Sequence, residues 1–302
     1  MTRTAAWVLW PAGLLLTLAY TLGGVVPPPL HLVLDTLLVA ATLLFLRSSG
    51  GSADRVAAAL VLAGVGIFVL VVLTGAPTAR RPELMLLNAA VLLAVAVTLL
   101  VTATRLALRA GHGAGRGPAA LGIVALVVGS TGYLANLLAR WAVVLAGASG
   151  LQAQVEETAW VAYAYLPGLV PEPTPLALLL VWLDLLQVAY VVLTYLGFGA
   201  LATALGRTGH IRALAAARIG VAGVGLAGLV GVAAVLAGAV AGPASTVAAW
   251  TAFVLTIPFM STVLPYALGV SLLRGRSSRN DHTRPPERKR MGASTSVPQS
   301  SR

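Results

Sequence analysis

Long apolar runs, separated by short polar or proline-bearing segments, set the pattern of this chain. Eight can be marked, at about 5–26, 29–46, 56–74, 84–104, 118–147, 175–205, 212–241 and 244–273. Each holds roughly 18 residues or more, enough for a helix rising ~1.5 Å per residue to cross the ~30 Å hydrocarbon core of a bilayer. Pro29, Pro118 and Pro175 open three of them, at the helical position where a missing N–H costs nothing. The first run follows Thr2 and Arg3 without a small-residue cleavage site, so it is expected to remain a span. The pattern predicts an all-α polytopic membrane protein: a bundle of eight transmembrane helices over 1–273, then a polar, aperiodic tail over 274–302 that is expected to be disordered.

The polar residues inside these runs are few. Asp35, Arg140 and Asp184 are the only full charges away from the span ends. Counted from the outer helix ends, Asp35 lies about 10 Å deep, Arg140 about 12 Å and Asp184 about 13 Å. Asn88 is shallower and Asn136 somewhat deeper. Helical spacing puts His31 with Asp35, and Asn136 with Arg140, at i, i+4; Asp184 meets Gln187 at i, i+3. A lone charge at mid-bilayer costs about 3 kcal/mol on insertion scales, so each charge needs a partner or a watery cavity. Arg140 and Asp184 sit at matching depth on consecutive spans, and an ion pair between them is expected. Asp35 would then turn to His31 or to the same arginine. His31, Asp35, Asn88, Asn136, Arg140, Asp184 and Gln187 form the candidate binding cluster.

Composition agrees with the pattern. The 302 residues are 58% hydrophobic and 10% charged, with mean hydropathy +0.91; soluble domains carry about a quarter charged residues. A net charge of +11 would suggest nucleic acid in a soluble chain, but its placement argues otherwise. Seventeen Lys/Arg fall on the N-terminus, alternate loops and the tail, against Arg80 and Arg81 on the other side. That bias sets both termini in the cytoplasm and the protein in the cell membrane. The tail alone carries eight basic and two acidic residues, suited to anionic lipid of the inner leaflet.

Several chemistries drop out. The chain has no cysteine, hence no disulfide, thiol nucleophile, thiolate metal site or iron–sulfur cluster. His31 is the only histidine in a span, which excludes bis-histidine haem, and the sole lysine, Lys289, is in the tail, so no retinal Schiff base can form in the bundle. Gly147-Ala148-Ser149-Gly150 resembles the G-x-S-G of rhomboid proteases, but no later span supplies a histidine base. Glu156-Glu157 resembles the paired glutamates of CAAX-type intramembrane proteases, but the following arginine and the helical histidines are missing. H-E-x-x-H zinc motifs are absent. No cofactor, metal ligand or catalytic residue is expected.

Three further segments stand out. The 148–174 loop mixes Glu156, Glu157 and Glu172 with Trp160, Tyr163 and Tyr165, and is expected to cap the outer end or to cover a substrate entrance. The seventh span matches G-x-G-x-x-G at Gly223, Gly225 and Gly228, but no strand precedes it, so dinucleotide binding is excluded. Gly223, Ala227 and Gly231 instead predict close helix packing. Pro258 and Pro265 predict a kinked last span. Asp35 and Asp184 share a Leu-Asp-x-Leu-x-Val-Ala setting, compatible with a four-plus-four duplication.

The expected role is binding or passage of a small solute or ion through a polar site in the outer half of the bundle. Two alternatives are a non-catalytic scaffold or complex subunit, docking a second copy or another membrane protein, and an embedded enzyme acting on lipid.

Overall fold

The computed structural model describes residues 55–74, 82–145, 175–239, 242–256 and 258–283, with scattered helical positions at 12 and between 30 and 47. Of these residues 95% are helical and none is in a strand. The elements are α1 (Arg55–Thr74), α2 (Pro82–Ala110), a 3-10 turn (Gly113–Gly115), α3 (Arg116–Leu145), α4 (Pro175–Arg207), α5 (Ala213–Ala239), α6 (Pro243–Thr256), a second 3-10 turn (Pro258–Thr262) and α7 (Val263–Thr283).

Among the described residues, four helices are long and apolar enough to cross a membrane: Ala90–Ala110, Gly113–Ala142, Trp182–Arg207 and Ala213–Ala239. Pro243–Thr256 and Met260–Arg274, bent by 56°, make a fifth crossing if they are one span. The described residues thus account for four or five of the eight expected spans. Span 5–26 lies outside them apart from Ala12, and 29–46 is helical at each described position. The third expected span is α1, whose stretch Arg55–Gly66 counts as a shorter apolar helix. The 148–174 loop and the tail beyond Thr283 lie outside the described residues, while α7 runs helically through the tail's first ten.

The helix α4 is the axis of the bundle. Of its spanning stretch 61% is buried, against 28–39% for the other three spans. It packs on α3 and α5 along its length and also meets α2, α6 and α7, while α7 returns to α1. Apolar side chains point away from this core: Leu121, Val221 and Val235 are 65%, 73% and 67% exposed. Such faces suit lipid and would be a liability in water.

Small residues let the backbones approach. On α3 and α4, a Cβ at Gly122 would lie 2.8 Å from Gly197 O, and one at Gly129 would lie 3.0 Å from Leu193 Cβ. On α4 and α5, a Cβ at Gly223 would meet Tyr195 O at 2.6 Å. Hydrophobicity does not drive helices together in lipid, so this close contact carries much of the association.

The expected glycine face is partly corrected. Gly223 and Ala227 are buried, but Gly231 is exposed with nothing within 4 Å of its Cβ position. The buried stripe instead runs Ala216, Ile219, Gly223, Ala227, Val230, Ala233, Ala237. At ~3.6 residues per turn, two steps of four drift by about 80°, whereas a four and a three return to the same face.

One end of the bundle is closed by two interlocked turns. At the end of α4 the His210 N–H donates to Leu205 O and the Gly209 N–H to Gly206 O, the two bonds of a Schellman cap. Gly209 supplies the φ of +73° which that cap needs. Arg207 Nη1 then donates to Ala114 O at 3.4 Å, tying this turn to the one between α2 and α3.

Candidate functional site

The site grows from the antiparallel packing of α3 on α4. Gly122 faces Gly197, Gly129 faces Leu193, and Tyr133 stacks on Tyr190 with ring centroids 4.1 Å apart and planes within 8°. Continuing in the same register, the Asn136 amide donates to Leu183 O and the Arg140 guanidinium reaches Asp184. Going up α3 from Gly122 to Arg140 thus runs down α4 from Gly197 to Asp184, as antiparallel helices require. Helical geometry thus delivers the charged pair wherever the glycines allow the helices to touch.

The pair itself is direct. Arg140 Nη2 lies 2.5 Å from Asp184 Oδ1, and the two side chains are only 16% and 9% exposed. Arg140 Nε donates to Asn136 Oδ1 at 2.7 Å, so Asn136, fully buried, bridges the arginine and the backbone of α4. One planar guanidinium fork thereby holds an amide and a carboxylate together, which a lysine could not copy. The expected Arg140–Asp184 contact is present.

A second set of polar groups lies further along α4. Gln187, Tyr190, Thr194 and Tyr195 recur at helical spacing on the side facing the break between α6 and α7. The last carbonyls of α6 have no intrahelical partner. Gln187 Nε2 donates to Thr256 O at 3.0 Å and Tyr195 OH to Leu255 O at 2.9 Å. The hydroxyls of Ser261 and Thr194 are within hydrogen-bond reach of the Tyr190 phenol. Thr256, Ser261 and Thr262 are buried at the break.

Pro258 accounts for the break, since it has no N–H to continue the α6 ladder. Pro265 behaves differently from the expectation that it too would kink the span. It is the third residue of α7, within the first turn, where an N–H would have no intrahelical acceptor.

Of the seven expected cluster residues, the structure brings together Asn136, Arg140 and Asp184, while Gln187, one turn further along α4, turns to the carbonyl of Thr256. Asn88 lies on α2, and its side chain is outside the described residues, as are His31 and Asp35. Sequence reasoning missed Tyr133, Tyr190, Thr194 and Tyr195. A signal existed: three tyrosines in span interiors, away from the interfacial belts where tyrosine concentrates. Among the described residues, no three His, Cys, Asp or Glu side chains come together as metal ligands.

No family model matches the chain, and no curated protein or solved structure matches it either.

Proposed function

We propose that the protein sits in the cytoplasmic membrane and binds or passes a small solute or ion through the polar seam along α4. The observation that supports this reading is the helix break beside Gln187, Tyr190, Thr194 and Tyr195. Irregular backbone at membrane depth survives only where protein or a water-filled cavity satisfies it. In transporters such broken helices line the substrate site near the bilayer midplane. The seam runs from the break toward Asp184, Arg140 and Asn136, so its outer part carries the charges and its inner part the hydroxyls. By the positive-inside rule the arginine-rich turns face the cytoplasm, which places the ion pair toward the outside.

A second reading, a non-catalytic subunit or scaffold, is favoured by the ion pair. Its low exposure and mutual neutralisation suit a pin that fixes helix register.

Proteoliposomes separate the two. Gradients of protons, sodium, chloride, glucose and a mixture of amino acids are applied in turn, with melting measured on adding each compound. At least one compound is expected to cross faster than in protein-free vesicles. Gln187→Leu is expected to slow that flux by about tenfold, the kinetic equivalent of one lost hydrogen bond. No flux and no melting shift with any of these compounds would favour the scaffold.

A further inference from the structure

The end of the bundle away from the ion pair is strongly basic. Arg116 opens α3 and Arg207 closes α4, and both are exposed. Their turns touch: a Cβ at Gly115 would lie 2.8 Å from Thr208 Cγ2 and 3.3 Å from Ala204 O. Arg207 Nη1 reaches across to Ala114 O, which holds its guanidinium over the turn that leads into Arg116. Two exposed arginines from separate helices thus flank one pair of joined turns. Neither makes an ion pair among the described residues, and no Asp or Glu occurs in 105–145 or 185–256. Neither hairpin that carries these turns therefore supplies a counter-charge at this end.

The surroundings indicate what does. Leu108, Leu121 and Leu214, each a few residues from these turns, are 72%, 65% and 64% exposed. Cationic turns above an apolar skirt mark the boundary between headgroups and acyl chains. Guanidinium forks match phosphate oxygens in pairs, and basic pockets between helix ends are where anionic headgroups dock. A free phosphate would use the forks but not the skirt.

We infer that Arg116 and Arg207 hold the headgroup phosphate of an anionic phospholipid against the joined α2–α3 and α4–α5 turns. This site is separate from any diffuse attraction of the basic tail and does not depend on what the seam along α4 binds.

The full chain in detergent, mixed with equal amounts of phosphatidylglycerol and phosphatidylcholine, gives the test by native mass spectrometry. Phosphatidylglycerol adducts are expected to dominate. Arg116→Gln with Arg207→Gln should lower the phosphatidylglycerol preference by about tenfold, as two arginine–phosphate contacts are lost. Melting in phosphatidylcholine should stay as in the parent chain. Arg105→Gln with Arg218→Gln removes the same charge from the same end and should keep the preference. Equal binding of both lipids, or equal loss in the two double variants, would overturn the site. So would an equal melting shift with inorganic phosphate alone, which would assign the arginines to a soluble anion. If the glutamine pair does not fold, Arg116→Lys with Arg207→Lys keeps the charge and loses the fork; an undiminished preference there would also overturn the site.

Discussion

Arg140→Ala is expected to cost about 3–5 kcal/mol, the range found when one partner of a buried ion pair is removed. The change takes the guanidinium from Asp184, whose side chain is 9% exposed, and leaves Asn136 Oδ1 without the Nε donor. Adding Asp184→Ala removes the carboxylate that has lost its guanidinium, so the double variant should regain more than half of the loss. Recovery should stop short of complete, because an unsatisfied buried amide oxygen still costs about 1–3 kcal/mol. Chemical or thermal unfolding in detergent measures both variants, and the coupling between them is the pair's signature. If Arg140→Ala melts like the parent chain, the pair carries no stability and the register account fails.

Gly223→Leu should be the most damaging change on α5. Its Cβ would stand 2.6 Å from Tyr195 O and 3.2 Å from Gly199 Cα, both backbone atoms of the central helix that cannot swing aside. Overpacking of this kind costs about 1–3 kcal/mol or more, since α4 and α5 must separate. Gly231→Leu, eight residues on, adds a Cβ with nothing within 4 Å at an exposed position. It should be neutral or slightly stabilising, by up to about 1 kcal/mol of helix propensity. Melting temperatures of the two variants in one detergent decide the matter. Equal losses would mean that the packed face of α5 lies elsewhere.

These two cases show what could be read from the chain alone. Arg140 and Asp184 were legible because a charge inside a span is so costly that few arrangements are open to it. Their matching depth on neighbouring helices left one simple partner. Gly231 was misplaced because repeated spacing by four drifts around a helix, and only the actual neighbour shows where a three intervenes. The break at Pro258 followed from proline chemistry. Its stabilisation by Gln187 and Tyr195 did not, since those donors stand 69 and 60 residues from the carbonyls they hold. No local pattern carries such a contact. The Tyr133–Tyr190 stack is hidden for the same reason, although a mid-span tyrosine carries a hydroxyl that needs a partner.

The central claim is that α3 and α4 pack in the one register that lays Asn136 and Arg140 beside Leu183 and Asp184. The absence of cysteine allows that register to be measured by cross-linking. A Cβ at Gly129 would stand 3.0 Å from Leu193 Cβ, and a disulfide needs about 3.5–4.5 Å, so Gly129→Cys with Leu193→Cys requires a shift of about half an ångström. With a protease site placed in the 148–174 connection, oxidation followed by cleavage should leave the two halves joined on a non-reducing gel. Val128→Cys with Leu193→Cys, whose first position faces outward, should not link. Halves that separate in the first variant, or that stay joined equally in both, would contradict the register and with it the ion pair.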